Sequence, residues 1–108
     1  MALIAVEGLE AEPLAAAARF YAEIAPRVAA ASDAVVTLLF PPADHTHGGW
    51  RAAAVASLAR AATPRRINGL VSDSAEAIAA TLVYLEEAPG ITGQLLVLDS
   101  HGAGEVLG

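Results

Sequence analysis

Short apolar runs and stretches with helical spacing alternate along the chain. The run Ala34–Phe40 is apolar, rich in β-branched residues and closed by two prolines, which is typical of a strand buried on both faces of a parallel sheet. Three other short apolar runs predict further strands, at Ala2–Val6, Ile67–Val71 and Gln94–Asp99. The residues that follow, Ser100–Gly108, are rich in glycine and are predicted to form a tail.

The first helix is predicted to begin at Pro13, because proline suits the first helical position, where its missing N–H is not needed. Pro26 lies late in this helix and is expected to kink it or to end its regular hydrogen bonding. Residues at helical spacing predict the side of the helix that faces the core. They are Leu14, Ala17, Phe20, Tyr21, Ile24 and Val28.

Two more helices are predicted between the later strands. Trp50–Ala62 is apolar nearly all round, which indicates burial on most sides and, in so small a chain, partly against another subunit. Asp73 and Glu76 have the spacing of a capping box, so Asp73 is interpreted as a helix cap rather than as an acid. This third helix is expected to turn three apolar residues inward: Ile78, Leu82 and Leu85.

Strands that alternate with helices predict one α/β domain with a four-stranded parallel sheet and three helices. Right-handed crossovers would place all three helices on one face of the sheet. At 108 residues the chain is long enough for one core, and 56% of its residues are hydrophobic while 17% are charged. This composition excludes a disordered segment.

The charge and the residue types narrow the classes of partner. The formal net charge is −6, so the chain lacks the basic surface that nucleic acid requires. With no cysteine, it forms no disulfide and no thiolate metal site. The N-terminal residues lack the basic region of a signal peptide, and no apolar run is long enough to span a bilayer, so we expect a cytoplasmic protein without membrane contact.

One loop carries a weak metal motif. His45 and His47 follow Asp44 just after the second strand, and Asp99 and His101 follow the fourth strand. The carboxyl ends of parallel strands share one sheet edge, where open α/β sheets bind ligands. These side chains are therefore candidates for a divalent metal or a small ligand, with a solvated turn as the alternative interpretation.

Several motifs, taken in order, resemble the second half of short-chain dehydrogenases/reductases. Ile91–Asp99 is similar to the family's ITG turn and its TGQ-apolar-D last strand, and Arg66–Val71 is similar to its RVNAV strand. Glu76–Leu85 stands where the family has an E-x-A-x-x-x-x-(F/Y)-L helix, and Pro26 resembles a proline late in the family's interface helix. The resemblance implies a Rossmann-like half domain with strand order 1-2-3-4, and with the last helix on the face opposite the other two.

The same resemblance implies that the family's catalytic and cofactor elements are missing. The family's tyrosine position holds Trp50, its lysine position holds Ala54, and its serine position falls near Leu39–Phe40. Indole and a methyl group cannot replace a tyrosine–lysine pair in general acid–base catalysis. No glycine-rich dinucleotide turn precedes a helix here, so we expect neither an enzyme nor a bound cofactor.

The helices Pro13–Ala30 and Trp50–Ala62 match the pair through which family members dimerise by four-helix packing. The resemblance therefore implies a homodimer or higher homo-oligomer, or association with a full-length dehydrogenase through the same helices. An unguarded apolar edge at Ala2–Val6 also favours pairing. Trp50 is interpreted either as an interface anchor or as a filler of the lost active site. The candidate interface residues are Phe20, Tyr21, Ile24, Trp50, Ala54 and Leu58.

Overall fold

The computed structural model describes residues 1–99 and 102–107. Four parallel strands form the predicted sheet in the order β1-β2-β3-β4, so the predicted α/β half domain is confirmed. Their bounds are β1 Ala2–Ala5, β2 Val35–Phe40, β3 Arg66–Val71 and β4 Leu95–Asp99.

A fifth strand, β5 (Gly102–Leu107), pairs antiparallel with β4. The prediction of a glycine-rich tail after Asp99 is therefore wrong for these residues. The physical reason is the free edge of β4, because its unpaired N–H and C=O groups favour a further strand over an unpaired tail. A short connection suffices, since an antiparallel neighbour can return directly.

The first helix, residues 13–30, is continuous but irregular. It consists of α1 Pro13–Arg19, a π-helical turn Phe20–Ile24 and α2 Ala25–Ala30. The carboxylate of Glu12 caps its first turn and accepts hydrogen bonds from the N–H groups of Leu14 and Ala15, at 2.6 and 3.1 Å. The wide turn comes just before Pro26, whose ring has no N–H to donate, so the predicted disturbance is confirmed.

The inward side of this helix differs from the prediction. Ala16, Phe20, Ile24 and Val28 are buried, whereas Leu14 is 77% exposed and Tyr21 is 47% exposed. In a regular helix, residues at steps of four drift round the axis by about 40° per step. The wide π-helical turn holds more residues per turn, which offsets part of this drift and keeps these four side chains on one side.

The other two helices are α3 Gly48–Ala62 and α4 Ala75–Glu86. The cap of α4 is Ser74, whose hydroxyl oxygen accepts the N–H of Ala77 at 3.2 Å. The interpretation of Asp73 as the cap is wrong, because Ser74 occupies the position from which a short side chain reaches that N–H. The predicted inward residues of α4 are confirmed, with Leu85 fully buried and Ile78 and Leu82 packed beside it.

The helices divide between the two faces of the sheet. The first helix and α3 pack on one face, against alternate residues such as Val36, Leu38 and Ile67. The side chains of Leu70 and Leu96 point to the other face, where α4 covers them. Each of these strands is added on the same side of the preceding one. A helix on the other face therefore gives the β3–α4–β4 connection the opposite hand to the β1–β2 and β2–β3 connections. The placement implied by the family resemblance is confirmed, and the one based on uniform right-handed crossovers is wrong.

Gly69 lets α3 lie close to the middle of the sheet. A Cβ atom at this position would be 2.8 Å from Leu95 Cδ1, 3.0 Å from Val55 Cγ2 and 3.1 Å from a ring carbon of Phe40. Three neighbouring side chains therefore fill the space that a side chain at Gly69 would need. This close packing holds α3 against β3. Neither α3 nor any other helix within residues 1–99 is long and apolar enough to cross a membrane.

Candidate functional site

A cavity of about 570 Å³ lies beside the first turn of α3 and extends along β4. We call it the edge cavity. Its polar lining comes from Asp44, His45, His47 and Arg51, and its apolar lining from Ala43, Gly48, Gly49, Ala52, Val71, Leu95 and Val97. The sequence prediction placed a site at this edge through Asp44, His45 and His47, and the structure brings these residues together at its rim.

His47 is committed to structural hydrogen bonds. Its Nδ1 accepts the indole N–H of Trp50 at 2.9 Å, and its Nε2 lies 3.0 Å from the carbonyl oxygen of Ala11. Both contacts are hydrogen bonds when the proton is on Nε2, so the geometry favours that neutral tautomer. Neither ring nitrogen then has a lone pair free for a metal. His47 therefore ties the start of the first helix to α3.

The predicted metal site does not assemble in the part of the chain that the structure describes. Residues 1–98 bring together no group of three His, Asp or Glu side chains that would hold a metal ion. His45 is exposed, and His47 is engaged as described above. The prediction for His101 and for the side chain of Asp99 lies outside the described residues. His45 and His47 alone do not make the divalent site that the motif suggested.

Asp44 stabilises the loop rather than a ligand. Its carboxylate accepts hydrogen bonds from the N–H of Thr46 at 2.9 Å and from the Thr46 hydroxyl, and it caps the 3₁₀ turn His45–His47. The hydroxyl and then the backbone N–H lower the pKa of this exposed carboxyl below its ordinary value of 3.8. Because these bonds favour the ionised form, their contribution to the loop is present above pH 3.8 and is lost as the pH falls below it.

Replacing Thr46 with valine is therefore expected to raise the pKa of Asp44 toward 3.8, since the hydroxyl makes the largest contribution to its lowering. NMR titration of the side-chain carboxyl carbon measures this pKa directly, and the Asp73 carboxyl serves as the internal reference. A pKa of Asp44 that is unchanged in Thr46→Val would show that the hydroxyl does not act on this group.

Trp50 and Ala54, which the resemblance places at the tyrosine and lysine positions, carry no titratable group. The Trp50 indole packs against Phe20 and Phe40, with ring centroids 5.6 and 6.1 Å away, and donates its N–H to His47. Ala54 is fully buried on the inward side of α3. This packing favours the interpretation of Trp50 as a filler of space within the chain.

The six candidate interface residues are in different environments. Phe20, Ile24 and Ala54 are buried within the chain itself and are not accessible to a partner in this structure. Trp50 and Leu58 are partly buried against the core, and Tyr21 is exposed. For the buried three, the reason is the packing of the first helix on α3, which uses their surface inside one subunit.

Sequence reasoning missed Arg51, the most unusual charge at this edge. It is only 5% exposed, and its guanidinium carbon lies 4.9 Å from the centroid of the Phe40 ring and 5.9 Å from that of Trp50. One terminal nitrogen donates to the carbonyl oxygen of Pro41 at 2.8 Å, and burial lowers the pKa of the group. The available signal was an arginine in the first turn of a helix that was predicted to be buried on most sides.

Comparison with known proteins adds one finding. A family model described as short chain dehydrogenase-like protein (SDR-like) matches residues 4–98. Neither a curated protein nor a solved structure matches the chain significantly.

Proposed function

Because the chain belongs to the short-chain dehydrogenase-like family, we propose that it is a non-catalytic member that acts as an oligomerisation or protein-interaction module. The single observation that carries this proposal is the environment of Trp50 and Ala54. The family's acid–base positions are occupied here by a side chain that donates a structural hydrogen bond and by one that is buried.

Acid–base catalysis needs a titratable group at the reacting centre. Indole N–H is a donor only, and here it is committed to His47 Nδ1. The neighbouring His47 is held between Trp50 and Ala11 through both ring nitrogens. The side chains at these two positions therefore do not offer the acid–base catalysis of a tyrosine and a lysine. They contribute to packing instead.

The exposed side of the first helix supports self-association. Leu14 and Tyr21 are seven residues apart, at two helical turns, and both are largely or half exposed. On the adjacent helix α3, three exposed residues at steps of four have small side chains: Ala53, Ser57 and Ala61. Small side chains allow a helix of a second copy to approach closely, and burying Leu14 and Tyr21 there would remove apolar surface from water.

We therefore propose a two-fold dimer in which the first helix and α3 pack against the same helices of a second copy. Of the candidates from the sequence, Tyr21 is exposed and Trp50 and Leu58 are partly exposed, and Leu14 joins them. A full-length dehydrogenase that presents the equivalent helices could take the place of the second copy and form a heterodimer.

Sedimentation velocity at micromolar concentration tests the dimer. The unmodified chain is expected to sediment as a dimer, and Tyr21→Glu is expected to shift it to monomer because a carboxylate would be buried in an apolar contact. Tyr84→Glu is the matched control, since Tyr84 is 52% exposed on the opposite face of the sheet. A monomeric unmodified chain, or dissociation by Tyr84→Glu but not by Tyr21→Glu, would contradict this interface.

The edge cavity supports a second candidate function, the binding of a small ligand at the carboxyl edge of the sheet. A volume of about 570 Å³ is within the range of small-molecule pockets, and the lining is mostly apolar with a few polar groups. Metal binding has no comparable support, because His47 is engaged through both ring nitrogens.

A further inference from the structure

Building on that second candidate function, we propose that the edge cavity binds an amphipathic monocarboxylic acid. Its carboxylate would lie against Arg51, and its apolar body would extend along the wall formed by Val71, Leu95 and Val97. This inference depends on the cavity being a ligand site, and it adds the charge and the polarity of the ligand.

Arg51 is a buried cation with incomplete hydrogen bonding. Its Nε is shielded from solvent and has no hydrogen-bond partner among the described residues, and its one hydrogen bond there is to the carbonyl oxygen of Pro41. The rings of Phe40 and Trp50 attract the charge but offer no oxygen to its N–H groups. Within residues 1–98, no carboxylate forms an ion pair with Arg51. A buried charge without an opposite charge is costly, and a carboxylate is the group whose geometry matches a guanidinium.

The beginning of α3 adds a second preference for negative charge at the same place. This helix of 15 residues has no side-chain cap of its own at His47, and it continues from the 3₁₀ turn His45–His47, whose His45 carbonyl oxygen accepts the N–H of Gly48. Gly48 and Gly49 line the edge cavity, and Gly49 has open space where a side chain would be. The positive end of the helix dipole and Arg51 therefore both favour an anion in the cavity.

The rest of the lining limits how polar the ligand is. Beyond Arg51, the wall is made of aliphatic side chains from α3, β3 and β4, including Ala52, Leu95 and Val97. The carboxylate of Asp44 lies at the exposed rim, where Thr46 holds it, and would repel a ligand with several negative charges. A ligand with one negative group on an apolar body fits both the cation and the apolar wall. A nucleotide supplies the negative charge but is too polar and too highly charged for the rest of the lining.

Titration calorimetry of the full chain with matched probes tests this inference. Octanoate carries the carboxylate, octanamide has the same apolar tail without charge, and inorganic phosphate has charge without a tail. We expect octanoate to bind more tightly than octanamide by about tenfold or more, since a charge-assisted hydrogen bond is lost in the amide. Phosphate is expected to bind more weakly than octanoate, because it leaves the apolar wall in contact with water.

Two variants assign the binding to the cavity. Arg51→Met keeps an unbranched side chain without charge and is expected to abolish the preference for octanoate over octanamide. Arg60→Met is the matched control on the same helix, at an exposed position, and is expected to leave binding unchanged. Ala52→Met leaves Arg51 in place but fills the cavity, so it is expected to weaken the binding of both octanoate and octanamide.

The outcomes separate the inference from the function on which it depends. Equal binding of octanoate and octanamide, or an octanoate preference that survives in Arg51→Met, would overturn the carboxylate assignment while ligand binding stands. Binding of phosphate tighter than octanoate would also overturn it, in favour of a phosphate group. If none of the three probes binds, ligand binding at the edge cavity fails as well.

Discussion

Phe40→Ala is expected to lower the free energy of unfolding by about 3–5 kcal/mol, the largest effect we expect from a single substitution. The Phe40 ring is fully buried at the end of β2, where it stacks on Phe20 with ring centroids 5.8 Å apart and contacts Trp50. The loss comes from the apolar area of the ring and from the cavity that alanine leaves behind. Arg51, which lies over the same ring, would also lose its cation–π contact.

Urea denaturation followed by the fluorescence of Trp50 measures this change. Val83→Ala is the control, because Val83 is exposed on α4, and its change is expected to stay within about 0.5 kcal/mol. Phe40→Leu keeps most of the volume and is expected to lose about 1–2 kcal/mol, which gives a measurable value even where the alanine variant is unfolded. A Phe40→Ala variant as stable as Val83→Ala would show that this ring is not part of the core.

Asn68→Ala is expected to lower the free energy of unfolding by about 2–4 kcal/mol, because it leaves two partly buried backbone groups without the partner that Asn68 supplies. Asn68 is fully buried in β3, and its amide nitrogen donates to the carbonyl oxygen of Ile91 at 3.0 Å. Its amide oxygen accepts the N–H of Gln94 at 3.1 Å. The side chain thus holds the turn that leads into β4, which backbone pairing alone does not fix.

Hydrogen exchange measures the size of the destabilisation in Asn68→Ala and also shows where in the chain it occurs. In Asn68→Ala the N–H of Gln94 is expected to lose protection, while the N–H of Gly93, which donates to the carbonyl oxygen of Ile67 at 2.7 Å, keeps more of it. Ser32→Ala removes an exposed hydroxyl between the first helix and β2 and is the control, with an expected change within about 0.5 kcal/mol. Unchanged protection of Gln94 in Asn68→Ala would contradict this role of the side chain.

The parallel sheet was predictable from the chain because strands buried on both faces must be apolar at nearly every position. The runs at Ala34–Phe40 and Ile67–Val71 meet this requirement, and each differs from the observed strand by one residue at its start. The beginning of the first helix was also predictable, because Glu12 caps it and Pro13 takes its first position, and both act on adjacent residues. The expectation that Trp50 and Ala54 replace a catalytic tyrosine–lysine pair stays a prediction, because it depends on the family resemblance at these two positions.

The edge of the sheet was predictable as a place, but its chemistry was not. Parallel strands bring their carboxyl ends together, which is why Asp44 and His45 were expected at a shared rim. The state of His47 depends on Ala11, which is 36 residues away, and on the orientation of the Trp50 indole. A motif of two histidines cannot indicate that such partners have already used both ring nitrogens.

The sequence by itself determined the four parallel strands, the order of these strands and the helices between them, and the residue types at the site, because each depends on local patterns of apolar and polar side chains. The tertiary structure alone decided which way Leu14 and Tyr21 face, that β5 adds to the edge of β4, and that Arg51 is buried. It also decided between the two sheet faces open to α4. Such features depend on contacts between residues far apart in the chain, and the periodicity of one element does not specify its neighbours.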